Sequence, residues 1–272
     1  MYKSYPLNTT RFTKFAQKAE FMNFRPAALL SEYLHLMQFD IHKAMMHNKL
    51  KHFSPDISGR WLDIGAGDQP YRKFFAGASE YLTTNTKRHY KTEEFKHIEK
   101  LTTYWIEDGK ALPVADNSLN GVAFFQVLSV IDKPEDFFRE INRVLKPGGK
   151  LLLTSDFIYP VWSAEDRYRH TAFNIRQLSQ IGGFSVESVD SFGGFGSTAY
   201  ALYMHFMRSF PELWKRKKAL TKILSAIPYF ILLMLLPFFS LAGMIVFLIE
   251  KNSKQNTDFS FNLFLSATKQ VD

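Results

Sequence analysis

Cysteine is absent from all 272 residues. That excludes a disulfide framework and thiolate chemistry, and any metal would have to be held by histidine and carboxylates; no metal site is expected. The N-terminal stretch scatters Lys3, Arg11, Lys14 and Lys18 among polar residues and lacks the apolar core of a secretory signal, so export is not expected. Internal repeats and low-complexity tracts are missing as well. A chain of this length can bury a full core as one domain with additions or divide into two small ones, and one domain with attachments is expected.

Charge is unbalanced, with a formal net charge of +8. An excess of this sign suits nucleic acid, anionic lipid or a solvated charged face, and its distribution favours the second. The densest basic group, Lys215-Arg216-Lys217-Lys218 with Lys222, directly precedes the longest apolar stretch, residues 223–249, which carries no charge. A basic cluster beside an apolar segment fits an anionic membrane surface. The basic residues are not interleaved with aromatics along a groove-forming stretch, so no nucleic-acid partner is expected.

What the chain does contain is most informative between Arg60 and Pro70. There an apolar strand, Arg60-Trp61-Leu62-Asp63-Ile64, runs into Gly65-Ala66-Gly67-Asp68-Gln69-Pro70. The glycines permit a sharp turn with no side chain between backbone and ligand, and a helix expected from about Tyr71 would add free N–H groups. The third glycine usual in dinucleotide loops is missing, which disfavours NAD. Further strands are expected at 81–85, 103–106, 122–126 and 150–155, with amphipathic helical spacing over 134–145 through Phe137, Phe138, Ile141 and Leu145. Alternation of this kind predicts a mostly parallel sheet covered on both faces, with ligands at the carboxyl ends of its strands.

Three segments in register carry a family likeness: the glycine loop, Leu112-Pro113-Val114-Ala115-Asp116-Asn117-Ser118-Leu119, and the turn Arg143-Val144-Leu145-Lys146-Pro147-Gly148-Gly149. Their order and spacing resemble the class I S-adenosylmethionine-dependent methyltransferases. The resemblance is strong over 60–156, weaker to about 195, and returns in the final residues. It implies an α/β, Rossmann-like fold: a mostly parallel seven-stranded sheet with an antiparallel last strand at 259–269, a helical N-terminal cap, and an apolar helical insert before that strand. The expected organisation is a cap over 1–55, with helical segments opening at Pro26 and running over 41–50, then a cofactor-binding core over 56–200, a basic and apolar insert over 201–257, and the last strand of the core over 258–272.

The resemblance also implies S-adenosylmethionine as cofactor and a set of residues to hold it. Asp63 would hold the amino-acid end, with Gly65, Ala66 and Gly67 presenting backbone. Asn85 stands where an acid usually binds the ribose hydroxyls, and an amide there loses charge-assisted bonding. Asp108, with Gly109, matches the acid that accepts from the adenine amino group. Gln126 and Val127 would line the cofactor or face the transferred methyl. Asn120 and the Ser129-Val130 pair depart from the family's usual Asp and Glu-His.

Methyl transfer from a sulfonium is largely a matter of alignment and water exclusion, and a base is optional. His170, in the segment Ala164-Glu165-Asp166-Arg167-Tyr168-Arg169-His170-Thr171 that resembles an acceptor-covering loop, is the candidate base, with Asp156 at the tip of the fifth strand as its rival. A surface hydrogen-bonding role for His170 stays open.

Pro237 interrupts the apolar stretch at its middle and leaves two pieces too short to cross a bilayer twice. A helical hairpin dipping into one leaflet is expected, with Phe230, Leu233, Leu236, Phe238, Phe239 and Ile245 toward lipid. Gly193-Gly194-Phe195-Gly196, before a helical segment over 197–208, reads as a flexible mouth between insert and site or as an ordinary loop. The whole predicts a methyltransferase acting on a small-molecule or amphiphilic acceptor, a lipid-linked sugar or quinone precursor among them, placed peripherally or monotopically at the cytoplasmic face of the inner membrane. A soluble enzyme whose insert covers the acceptor pocket, and a non-catalytic scaffold, are the alternatives.

Overall fold

A computed structural model of the chain describes residue 33 and residues 38–87, 96–106, 111–161, 164–215, 219–251 and 259–271. The expected helical segment at Pro26, residues Asp108 and Gly109, and Arg216-Lys217-Lys218 of the basic cluster lie outside the described residues.

Seven strands form one sheet. They are β1 (Gly59–Ile64), β2 (Ala78–Thr86), β3 (Tyr104–Ile106), β4 (Leu119–Phe125), β5 (Leu145–Asp156), β6 (Phe184–Ser191) and β7 (Asn262–Lys269). The order is β3-β2-β1-β4-β5-β7-β6. The pairs from β3 to β5 are parallel, and β7 runs antiparallel to both β5 and β6. Beside them stand helices α1 (Ile41–Phe53), α2 (Lys96–Leu101), α3 (Pro134–Val144), α4 (Ala172–Ile181), α5 (Phe195–Lys215), α6 (Ala219–Met234) and α7 (Leu236–Glu250).

Because side chains alternate along a strand, each central strand feeds two cores. Leu62, Val122, Phe124, Leu151, Leu153, Leu263 and Leu265 face Phe138, Ile141 and Val144 of α3 and Ile175 and Leu178 of α4. Their neighbours Trp61, Ala123, Phe125, Leu152 and Phe264 face Met45, Met46 and Leu50 of α1 and Met204 and Met207 of α5. Helix α3 forms where apolar residues recur every three to four positions. Pro134 sits in its first turn with Glu135 and Asp136, and Arg143 in its last, an arrangement that suits the helix dipole.

Four details differ from the sequence reading. The helix expected from Tyr71 is a single 3-10 turn, Arg72–Phe75, since Pro70 and Gly77 leave room for no more. The turn expected at Leu145-Lys146-Pro147-Gly148-Gly149 is absorbed into the start of β5 as an irregular register with β4. The glycine-rich segment 193–196, for which a flexible mouth or an ordinary loop is expected, is held by Glu250. Its carboxylate accepts from the backbone N–H groups of Gly194 (2.7 Å), Gly196 (3.3 Å) and Ser197 (3.0 Å) and from Ser197 Oγ (2.5 Å).

The insert is the fourth. Helices α6 and α7 meet at a bend of 56°, an elbow rather than a folded-back hairpin, with Pro237 in the first turn of α7. Leu236, expected toward lipid, is fully buried and Leu233 half-buried against the second core, together with buried Tyr229. Gly243 takes the edge of Tyr200, where a Cβ would lie 2.5 Å from the ring. The insert is thereby part of the cover of the sheet's second face. Among the described residues no single helix is long and apolar enough to cross a membrane.

Candidate active site

The loop after β1 sits at the carboxyl ends of the parallel strands, as the strand order requires. Gly65 has φ 71° and its missing Cβ makes room for Val127, whose Cγ2 would lie 2.6 Å away. Two of the expected cofactor residues are thus in contact. The loop's N–H groups are spent within the protein: Gly65 N and Ala66 N donate to Thr84 O (2.8 and 3.2 Å), and Gly67 N donates to Asn85 Oδ1 (2.9 Å). Ala66 O is taken as well, accepting from Gln69 N at 2.9 Å; the Gly65 and Gly67 carbonyls can still accept, which suits a ligand that carries an ammonium group.

Asp63 is buried at the end of β1 and accepts from Tyr81 Oη at 2.6 Å. Among the described residues it forms no salt bridge. Burial pushes its carboxyl up to about 7, and the Tyr81 hydrogen bond offsets only part of that; Tyr81 itself is pushed upward by burial and by the neighbouring acid. A buried carboxylate without a cation is costly. A cationic ligand would relieve that cost, so Asp63 and the Gly65 and Gly67 carbonyls together fit the amino-acid and sulfonium end of S-adenosylmethionine. Tyr81 was not singled out in the sequence. The signal was there: with Trp61 paired to Tyr81 and Asp63 to Thr83, alternation puts Tyr81 and Asp63 on one face.

Asn85, at the expected ribose position, is buried, and its Nδ2 donates to Thr102 Oγ1 at 2.8 Å. Both ends of its amide therefore brace the glycine loop against the strand that follows. Gln126, just past β4, holds a left-handed φ of 62°, a conformation that costs energy in a residue with a side chain and concentrates at functional sites. Its amide lies among Thr154, Asp156 and Asn262. With its oxygen toward Thr154 Oγ1 (3.1 Å) and Asn262 and its nitrogen toward Asp156 Oδ2 (3.1 Å), each group has a partner. Asp156 and Asn262 are both buried. Asn262, first residue of β7, escaped the sequence reading; a polar residue opening an otherwise apolar strand was its one trace.

His170 lies elsewhere. It is buried immediately before α4, its Nδ1 2.5 Å from Asn174 Oδ1 and its ring tilted on Tyr168. Burial lowers its pKa, and its backbone partner in that respect is Leu128. Arg167 N and Tyr168 N donate to Ser129 O (2.9 and 3.2 Å). The segment is thus docked on the turn after β4, while Asp156 belongs to the Gln126 group.

A cleft opens where the chain leaves β5 and enters β7. Its walls combine Phe39, Asp40 and His42 at the start of α1, Tyr159 three residues beyond β5, Met204, His205 and Arg208 of α5, and Phe261 just before β7. Burial, and then the charge of Asp156, push the Tyr159 hydroxyl up to about 12. Tyr71 is raised by burial and then by both Asp40 and Asp63. Tyr71 thus lies within electrostatic reach of both Asp40 in the cleft and Asp63 at the end of β1. None of His42, His205, Arg208 or Tyr159 was marked in the sequence, since an isolated histidine in a helical segment carries no motif.

A family model described as a methyltransferase domain matches residues 62–153. The ubiquinone/menaquinone biosynthesis C-methyltransferase UbiE of Ruegeria sp. (strain TM1040) is 24% identical over 185 residues, covering 65% of this chain and 70% of that protein. A malonyl-acyl-carrier-protein O-methyltransferase of Hahella chejuensis (strain KCTC 2396) is 29% identical over 131 residues, 46% of this chain and 45% of that protein. The crystal structure of an S-adenosylmethionine dependent methyltransferase from Mesorhizobium loti shares the fold with a TM-score of 0.50 at 16% identity, over 84% of this chain and 99% of the other.

Proposed function

We propose that this chain, which belongs to the class I S-adenosylmethionine-dependent methyltransferases, methylates an amphiphilic acceptor at an anionic membrane surface. The bound cofactor supplies an activated methyl group on a positively charged sulfur. The protein's part is to hold that charge beside Asp63 and the glycine carbonyls, to keep the Gln126, Asp156 and Asn262 group ordered at the strand ends, and to shield the reacting atoms from water.

One observation carries the choice of acceptor: the outer surface of the elbow is apolar. Ile227, Phe230, Ile231, Met234, Phe238 and Ile249 are each more than half exposed there, at 65, 63, 56, 73, 70 and 70%. Soluble surfaces seldom leave so many large apolar side chains contiguous, and such patches mark membrane or protein contacts. Lying in the interfacial plane, the two helices would bury this face among acyl chains, while their inner face packs over α5, a wall of the cleft. An amphiphile then reaches the cleft from the lipid. The likeness to a quinone-pathway C-methyltransferase supports that acceptor class, and a cytoplasmic, peripheral or monotopic placement is part of the same proposal.

Flotation with vesicles containing phosphatidylglycerol tests it. Wild-type protein is expected to float with the vesicles, and a triple variant Phe230→Ser, Phe238→Ser, Ile245→Ser to remain at the bottom with unchanged circular dichroism. Wild-type protein that stays behind, or that forms a dimer through this face without binding lipid, overturns the membrane reading.

A further inference from the structure

The cleft at the end of β5 and the start of β7 holds polar groups with no role assigned above. His42 Nε2 and His205 Nδ1 are buried and without a hydrogen-bond partner, and each orphaned ring nitrogen costs the fold a desolvation penalty that a ligand would recover. Burial lowers both imidazole pKa values, with Arg208 adding to the effect at each and Asp40 opposing it at His42. At neutral pH both rings are neutral, so each carries one N–H and one lone pair. His205 Nε2 is 3.2 Å from Ser209 Oγ, and its ring stands edge-on to Tyr159. His42 lies against Phe192 and Phe261.

Among the described residues Arg208 is the one lysine or arginine lining the cleft. Its Nε donates to Gln38 Oε1 at 2.7 Å, which fixes the guanidinium, and among the described residues it makes no ion pair. Asp40, the cleft's carboxylate, is engaged as the N-cap of α1, accepting from Lys43 N at 3.0 Å. Phe39, Met204 and Phe261 supply flat or pliable apolar wall between these groups.

The geometry points to a binding site for an acidic hydroxyl on an aromatic ring, a phenol or its phenolate, with the oxygen between the orphaned nitrogens of His42 and His205 and beside the guanidinium of Arg208. The phenol both donates and accepts, and so meets neutral imidazoles in either tautomer; the phenolate only accepts, and is met when each ring carries its proton on the orphaned nitrogen, which leaves His205 Nε2 to accept from Ser209 Oγ. Arg208 favours the ionised form of the oxygen, and the single cation opposed by Asp40 matches one negative charge rather than two. The aromatic ring fits the Phe39, Met204 and Phe261 walls. This assignment rests on the methyltransferase reading and narrows its acceptor to aromatic hydroxyls.

4-Nitrophenol is a direct probe, because its phenolate absorbs in the visible and its phenol does not. Titrated into full-length protein saturated with S-adenosylhomocysteine, at a pH below its own pKa, it is expected to bind saturably and to turn yellow as its ionisation shifts toward the phenolate. Arg208→Gln is expected to abolish the colour shift. His42→Phe and His205→Phe are each expected to weaken binding about tenfold, the loss of one hydrogen bond to a charged group. Calorimetry with S-adenosylhomocysteine, run on every variant, separates causes. Normal cofactor-product binding with no 4-nitrophenol binding, with binding but no colour shift in wild type, or with a shift that survives Arg208→Gln, overturns the phenol site and leaves the enzyme reading intact. Equal competition by inorganic phosphate marks a general anion site and overturns it too. Absence of S-adenosylhomocysteine binding in the wild-type protein instead contradicts the family reading.

Discussion

Tyr81 Oη donates to the buried carboxyl of Asp63 at 2.6 Å, and this hydroxyl is the acid's hydrogen-bond partner among the described residues. With burial raising the Asp63 pKa to about 7, the charge on the cofactor loop changes within the physiological range. The neutral acid attracts a cation less than the carboxylate does. Affinity for S-adenosylmethionine is therefore expected to fall as pH drops from 8 to 6, and Asp63→Asn is expected to weaken binding and to flatten that dependence. Calorimetry across the pH range checks both.

The same shift has a sign for stability. A carboxyl whose folded pKa lies above its unfolded value takes up a proton more readily in the native state, so its contribution favours folding at low pH and is lost as pH rises through about 7. Without ligand, Asp63→Asn is accordingly expected to raise the melting temperature at pH 8 and to change it little at pH 5. A variant that melts lower at pH 8 would show that the carboxylate has a partner this structure does not give it.

Gly65 answers to sterics rather than charge. A Cβ there meets Val127 Cγ2 at 2.6 Å on a backbone with φ 71°. Gly65→Ala is expected to cost roughly 1–3 kcal/mol of stability and to weaken cofactor binding. A second substitution, Val127→Ala, relieves the clash but not the strained φ, so it should restore part of the stability. Full additivity of the two effects would mean that the residues do not touch.

Much of this was readable from residue order. The apolar runs of β1, β4 and β5, the helical spacing of α3 and the antiparallel last strand all announce themselves by period, because a parallel sheet covered on both faces demands apolar residues at every position. Strand β6 and helix α4 did not, since Phe184–Ser191 mixes polar and apolar residues at a half-exposed edge of the sheet. In the site, glycine loop and strand tips followed from motif. Tyr81, Asn262 and the His42, His205 and Arg208 cleft depend on contacts between distant segments, such as α1 with α5, which leave no local pattern. Asn85 shows the converse: its place matched a motif, yet its bonds to Gly67 and Thr102 come from packing.

Glu250 closes α7 and collects four donors from the start of α5. Removing it leaves those N–H groups beside an unfilled space and uncouples the elbow from a helix that lines the cleft. Glu250→Ala is expected to cost about 2–3 kcal/mol and to expose the 193–197 segment to limited proteolysis; Glu250→Gln, which keeps an acceptor oxygen, is expected to recover part of both. Unchanged protease resistance in the alanine variant would contradict the clamp.

His170 is packed on Tyr168 and bonded to Asn174, and its pKa is lowered from 6.5 by burial. A histidine lowered in the folded state lends stability above its unfolded pKa and loses it as pH falls below 6.5. His170→Gln is expected to reduce the loss of stability between pH 7 and pH 5, and to leave S-adenosylmethionine affinity within about twofold, a difference well under 1 kcal/mol. A large loss of cofactor affinity would place this ring at the cofactor site after all.

The central claim is that the turn following β1, with Asp63 beneath it, holds S-adenosylmethionine. Isothermal titration of the full-length protein with S-adenosylmethionine at pH 8 tests it most directly. Saturable one-to-one binding in the wild type that is lost or strongly weakened in Asp63→Asn is the predicted result. No heat and no thermal stabilisation at saturating ligand, in protein that is folded by circular dichroism, would contradict it.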